Sequence, residues 1–179
     1  MIRTILIAIF LLTGCSSMQD VSRISSTLKV YEYNDIAAKY MPRPTFVELG
    51  KIDGVRVLHI TSDEYGKIGN DPQKTSHLFL KQTYSDNYIA LIDKFLEWEK
   101  LASDRKDTLE KNIGEAKDNL VFDFFSGNEN SHYLVISFKT SGVVLWESYF
   151  PKSEAETLRS LLVKLKNDNL KTTDTSIYN

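Results

Sequence analysis

The sequence predicts an α+β fold, with one antiparallel sheet on which a long central helix and a C-terminal helix are packed. Strand signals followed by a helical pattern occur twice along the 179 residues. The composition, 42% hydrophobic and 26% charged, is that of an ordinary globular protein. A chain of this length buries enough surface to form its own core. We therefore expect a single folded domain over residues 28–169.

The first strand signals lie in the N-terminal third of the chain. Tyrosines and a valine favour a strand at 28–33, and residues 34–40 could form a short helical turn. The prolines at 42 and 44 then require an extended path.

A hairpin is predicted next, at 46–49 and 55–61. Asp53-Gly54 lies between these two strands, and Asp-Gly is a strong signal for a tight hairpin turn. Residues 62–75 have the composition of a loop, and another strand is expected at 77–84.

A long helix is predicted from Asp86 to Ala116. At about 100° per residue, one apolar stripe runs through this whole stretch. We expect its second half, 104–117, to project from the body, and the alternating charges of 97–117 to be its solvated side. The positions of the stripe are Leu91, Phe95, Trp98, Ala102, Leu109, Ile113 and Ala116.

Three strands in a row should follow, at 120–125, 133–139 and 143–150. Their short, turn-rich connections predict an antiparallel meander. Ser153 and Glu156 have the spacing of a capping box, which predicts the start of the last helix. The apolar residues of this helix are Leu158, Leu161, Leu162 and Leu165.

The first fifteen residues have the pattern of an export signal. Arg3 precedes an apolar run at 5–12, which is too short for the roughly 20 residues that cross a bilayer. Leu12-Thr13-Gly14-Cys15 resembles the lipobox of bacterial lipoproteins. This resemblance implies a diacylglycerol on the thiol of Cys15, cleavage before that residue, and often acylation of the new amine.

Four segments follow from this interpretation: a lipoprotein signal peptide at 1–14, a lipidated cysteine with a flexible tether at 15–27, the domain at 28–169 and a polar tail at 170–179. Ser16 follows the cysteine, which by the same resemblance implies transfer to the outer membrane, facing the periplasm, if the source has two membranes. The expected contact with the membrane is through the lipid on Cys15.

No motif for catalysis, cofactor binding or metal binding is recognised. His59, His77 and His132 each fall in a predicted strand, and none has the spacing of a zinc motif. Gly66-Lys67-Ile68-Gly69 lacks P-loop spacing and is interpreted as a turn. Nucleophile motifs are missing, and Cys15 is the only cysteine. A net charge of −2 without a basic cluster argues against nucleic acid as a partner.

Both faces of the predicted meander are apolar. Either helices cover both faces, or one face is an open aromatic platform for a ligand or protein. In the second case Phe125, Tyr133 and Tyr149 are the candidate binding residues.

The preferred hypothesis is a non-enzymatic envelope lipoprotein that binds a protein or another envelope component. An alternative is an envelope hydrolase whose catalytic residues are scattered along the sequence, which would require a pocket with converging carboxylates or histidines. A third is an assembly role through the projecting helix.

Overall fold

The structure is a computed structural model that describes residues 17–63 and 75–173. In chain order its elements are β1 (Gln19–Arg23), β2 (Tyr31–Asn34), β3 (Lys39–Pro42), β4 (Thr45–Ile52), β5 (Val55–Asp63), β6 (Thr75–Lys81), a 3₁₀ turn (Gln82–Tyr84), α1 (Ser85–Arg105), β7 (Glu110–Glu115), β8 (Leu120–Asn128), β9 (Ser131–Thr140), β10 (Val143–Pro151) and α2 (Lys152–Lys166). The α+β class is confirmed, with a long helix, a C-terminal helix and antiparallel sheet.

The strands form two antiparallel sheets. One has four strands in the order β1-β4-β5-β6, and the other has six in the order β3-β2-β10-β9-β8-β7. The predicted meander is confirmed as β8, β9 and β10. The β4–β5 hairpin is confirmed too: Asp53 and Gly54 have φ of 52° and 78°, the positive values that a tight type I′ turn needs.

Both helices lie on one face of the six-stranded sheet, called here the inner face. Tyr88 and Phe95 of α1 are fully buried and contact Phe122 and Phe124 of β8. The leucines of α2 join the same core, together with Leu58, Leu78 and Leu80 of the four-stranded sheet. One shared core therefore joins the helices and both sheets.

The prediction of one helix from 86 to 116 is wrong. The helix ends at Arg105, because Lys106 adopts a left-handed conformation (φ 59°) and the amide of Asp107 bonds back to the carbonyl of Ala102 (3.0 Å). Of the remaining stripe positions, Ile113 lies in β7 and is 4% exposed, and Leu109 and Ala116 flank that strand. A bulge between Asn112 and Gly114 lets a helical spacing fit a strand. No projecting helix exists over 104–117.

The folded body begins earlier and ends later than predicted. The prediction of a flexible tether at 15–27 is wrong at Gln19–Arg23, because this segment is β1 and pairs with β4. Ile24, which follows it, is buried. At the other end Leu170 is buried, and the amide of Thr173 bonds to the carbonyl of Arg23 (2.8 Å). Contacts with residues distant in sequence order both segments. A local hydrophobic period does not predict such contacts.

Three local predictions near element ends are also wrong. In place of a helical turn at 34–40, residues 35–38 form the turn of the β2–β3 hairpin, with the amide of Ala37 bonding to Oδ1 of Asn34 (2.8 Å). The strand expected at 77–84 ends at Lys81. The last helix starts at Lys152, so its N-cap is Pro151 and the expected capping box does not form.

Two predicted features lie outside the described residues: the signal peptide with Cys15, and the turn at Gly66-Lys67-Ile68-Gly69. Within 17–63 and 75–173, neither helix combines the length and the apolar character that crossing a membrane requires.

Candidate functional site

The three predicted binding residues share the outer face of the six-stranded sheet, opposite both helices. Phe125 pairs with Tyr133 of β9. Tyr149 pairs with Val135, two residues further along β9, and with Tyr31 on its other side. The ring centroids of Phe125, Tyr133 and Tyr149 lie 6.0–6.5 Å apart. The structure therefore brings these three residues into one cluster.

Tyr40 from β3 lies at the centre of this cluster. Its ring centroid is 4.5 Å from that of Tyr133, 4.9 Å from Tyr149 and 5.8 Å from Phe125. Tyr33 in β2 contacts Tyr40 at 5.3 Å. We call these five residues the outer aromatic cluster. Tyr40 was missed because 34–40 was interpreted as a helical turn. Tyr33 was placed in the predicted strand 28–33 but was not assigned to a binding face, although the density of tyrosines there was a usable signal.

The outer aromatic cluster is partly open to solvent. Tyr33 is 47% exposed, and the other four rings are half-buried. Below them Val135 is only 5% exposed. The sequence left open whether helices cover both faces of the meander. Among the described residues they do not, so that alternative is wrong. The outer aromatic cluster itself covers the outer face.

Three hydroxyls of the cluster, those of Tyr40, Tyr133 and Tyr149, are neutral donors. Burial raises the pKa of Tyr40 and of Tyr133 above the usual range. Burial also raises the pKa of Tyr149, and so does Glu147, whose Oε2 accepts a hydrogen bond from the Tyr149 hydroxyl (2.8 Å). The surface thus combines apolar rings with fixed hydroxyl groups.

A second cluster lies on the four-stranded sheet, on the face away from the core. Nδ1 of His59 bonds to Oε2 of Glu48 (3.1 Å), and Nε2 of His59 lies 3.0 Å from Nδ1 of His77. Oε1 of Glu48 is 3.2 Å from Nε of Arg23. The His59 ring also stacks on Phe79 at 4.3 Å. We call Glu48, His59 and His77 the histidine chain. The sequence did not reveal it, because His59 and His77 are 18 positions apart and meet only through the pairing of β5 with β6.

Desolvation is the main influence on the pKa of His59 in the histidine chain. Burial lowers the pKa of His59 below its ordinary value, against the opposing effect of its hydrogen bond to the Glu48 carboxylate. Both ring nitrogens of His59 are occupied, so neither is free to bind a metal ion. No group of three or more histidine, cysteine or acidic residues suited to a metal occurs in the described parts of the chain.

The third histidine, His132, belongs to the other sheet. It is 6% exposed, and its Nδ1 lies 2.9 Å from Oγ of Ser126. Oγ of Ser126 also accepts a hydrogen bond from the amide of Leu109 (3.1 Å). Since Ser126 connects β8 to the segment before β7, we interpret this serine–histidine pair as structural.

An apolar groove of about 380 Å³ lies beside His77, where the two sheets meet. Trp146 and Phe138 stack in its wall, with centroids 5.8 Å apart. Three polar residues, His77, Lys81 and Asp118, line it as well. The remaining lining residues are Ile52, Phe79 and Leu120.

Comparison with known proteins found no match for this chain. No family model matches the chain, and neither a curated protein nor a solved structure does. The outer aromatic cluster, the histidine chain and the apolar groove are therefore interpreted from their own geometry.

Proposed function

We propose that this protein is a bacterial envelope lipoprotein, held on a membrane by lipid on Cys15, whose domain is a non-enzymatic module that binds a protein partner. The partner surface is the outer aromatic cluster. The observation that carries this proposal is the concentration of four tyrosines and a phenylalanine, partly open to solvent, on the sheet face opposite both helices.

Tyrosine-rich surfaces are well suited to binding proteins. A tyrosine offers a large apolar ring with few rotatable bonds, and its hydroxyl adds one directional hydrogen bond. Tyrosine is also enriched among the residues that dominate binding energy at interfaces. In this cluster the rings support one another, so little side-chain freedom is lost when a partner covers them.

The lipid anchor is supported by the lipobox residues Leu12-Thr13-Gly14-Cys15 behind a short apolar run. Two or three acyl chains hold firmly, since each buried CH₂ contributes about 0.8 kcal/mol. Strand β1 begins only four positions after Cys15, and an extended residue spans at most about 3.6 Å. The domain would therefore lie within roughly 15 Å of the lipid attachment point. With Ser16 after the cysteine, we place it on the outer membrane, facing the periplasm.

The binding role is tested by cross-linking in the envelope and recovery of the partner. Tyr133→Ala should weaken capture of the partner by at least about tenfold, the loss typical of a central interface tyrosine. Leu101→Ala is the matched control, since Leu101 is 56% exposed on α1 and lies away from the cluster. Circular dichroism would establish that both variants are folded. Equal capture by the two variants would contradict the proposal.

Hydrolysis is a second candidate function. The observation that favours it is the chain from Glu48 through His59 to His77, which ends beside the apolar groove and could orient His77 as a general base. Turnover of a model ester by the wild type that is lost in His77→Gln would favour this candidate over the binding module.

A further inference from the structure

We propose that the apolar groove is a binding site for a small organic cation, an aromatic or alkyl body that ends in a primary ammonium group. The groove lies between β6 and the Trp146 region of β10, whereas the outer aromatic cluster lies on the opposite face of the six-stranded sheet. This site is therefore independent of the partner surface proposed above.

The walls of the groove fit the apolar body of such a ligand. Its volume of about 380 Å³ falls within the range of small-molecule sites, roughly 300–1,000 Å³. Phe79, Phe138 and Trp146 supply aromatic faces, which attract a cation through their negative quadrupole as well as burying apolar surface.

Asp118 supplies the charge that the ammonium group would meet. Its Oδ2 accepts a hydrogen bond from the hydroxyl of Tyr88, which is fully buried. Burial and the hydrogen bond to Asp118 together raise the pKa of Tyr88, so the Tyr88 hydroxyl is a neutral donor. Among the described residues no basic group lies within 4.0 Å of Asp118, and its Oδ1 has no hydrogen-bond partner. A partly desolvated carboxylate without a cation favours a cationic ligand.

His77 adds a polar side chain to the groove. Nδ1 of His59 carries a proton and donates a hydrogen bond to Glu48. In the neutral ring, Nε2 of His59 then has no proton and accepts a hydrogen bond from Nδ1 of His77. His77 itself lines the groove and uses its Nδ1 in the contact with His59. An ammonium group has three donors and no acceptor, which suits the unpartnered carboxylate oxygen of Asp118.

Lys81 is the one lining residue that opposes a cation. Its charge would weaken binding of an ammonium ligand and strengthen binding of a carboxylate ligand. Replacing Lys81 by a neutral residue therefore has opposite effects on the two ligand classes. That difference in sign identifies the charge of the natural occupant class.

The test is calorimetric titration of the full chain, in lipid nanodiscs, with 2-phenylethylammonium and with 3-phenylpropanoate. We expect the ammonium probe to bind more tightly. Asp118→Asn should weaken its binding by about tenfold or more, as expected for loss of a charged partner. Lys81→Gln should strengthen it by about twofold or more.

Asp123→Asn is the matched control. Asp123 lies in β8, accepts a hydrogen bond from Asn112 (2.7 Å) and does not line the groove. Its affinity for the ammonium probe should equal that of the wild type. Absence of saturable binding, preference for the carboxylate probe, or equal affinities of Asp118→Asn and Asp123→Asn would overturn the proposal. If Asp118→Asn does not fold, weaker ammonium binding by Lys81→Gln overturns it, and stronger binding supports it.

Discussion

His59 shows how one buried titratable residue links the four-stranded sheet to pH. It is 9% exposed and bonds Glu48 of β4 and His77 of β6, while Arg23 of β1 adds a positive charge next to Glu48. Burial is the main reason that its pKa is lowered in the folded protein. The unfolded chain, with an ordinary histidine pKa of about 6.5, therefore takes up this proton at higher pH than the folded chain does.

We therefore expect the free energy of unfolding to decrease as the pH falls through 6.5 toward the lower pKa of folded His59. The sign follows because the unfolded state binds more protons in that interval. Urea unfolding at pH 7.5, 6.5 and 5.5 measures the effect. His59→Gln, which does not titrate, should flatten the slope, and a slope equal to that of the wild type would contradict this assignment.

The residues of the candidate sites were predictable to different degrees. Period-two alternation along the meander placed Phe125, Tyr133 and Tyr149 on one face, and the strand register agrees. Tyr40 and the pairing of His59 with His77 depend on contacts between segments distant in sequence. A local period carries no information on such contacts, so periodicity alone could not find them.

At the scale of elements, the boundary between α1 and β7 shows why a helical period is not sufficient to predict a helix. Leu109, Ile113 and Ala116 continue the apolar phase of α1, but the chain turns at Lys106 and residues 110–115 pair with β8. Backbone pairing and the burial of Ile113 against α1 outweigh the weak local propensity. Turn chemistry was more reliable, since Asp53-Gly54 predicted its hairpin correctly.

That hairpin gives a prediction about one turn residue. Gly54→Ala should destabilise the protein by about 1–2 kcal/mol, because Gly54 has φ +78° and a side chain there is strained although no atom lies within 4 Å. Chemical denaturation would measure the change. The control is Gly127→Ala, where the added carbon would make only ordinary van der Waals contacts, with Tyr133 at 3.5 Å and Ser131 at 3.7 Å. A cost for Gly54→Ala no larger than that of the control would contradict the turn assignment.

At the scale of the whole molecule, the class of fold was predictable and the arrangement of the sheets was not. Composition and the order of strands and helices indicated α+β. The split into two sheets depends on β2 reaching β10 and β1 reaching β4, which are pairings across long stretches of chain. Such pairings are fixed by the complete core rather than by any one segment.

The two-sheet arrangement also decides how the domain would meet a membrane. Because β1 starts at Gln19 and is paired to β4, little free chain separates the folded body from Cys15. The domain would be held close to the bilayer, and its partner should be found there too. This geometry depends on the lipid at Cys15.

Mass spectrometry of the mature protein from its native membrane tests that dependence most directly. We predict that the N-terminal residue is Cys15, with a diacylglycerol on its thiol, and that Cys15→Ala remains an unlipidated precursor. An unmodified thiol at Cys15, or a mature chain that starts at another residue, would contradict the account.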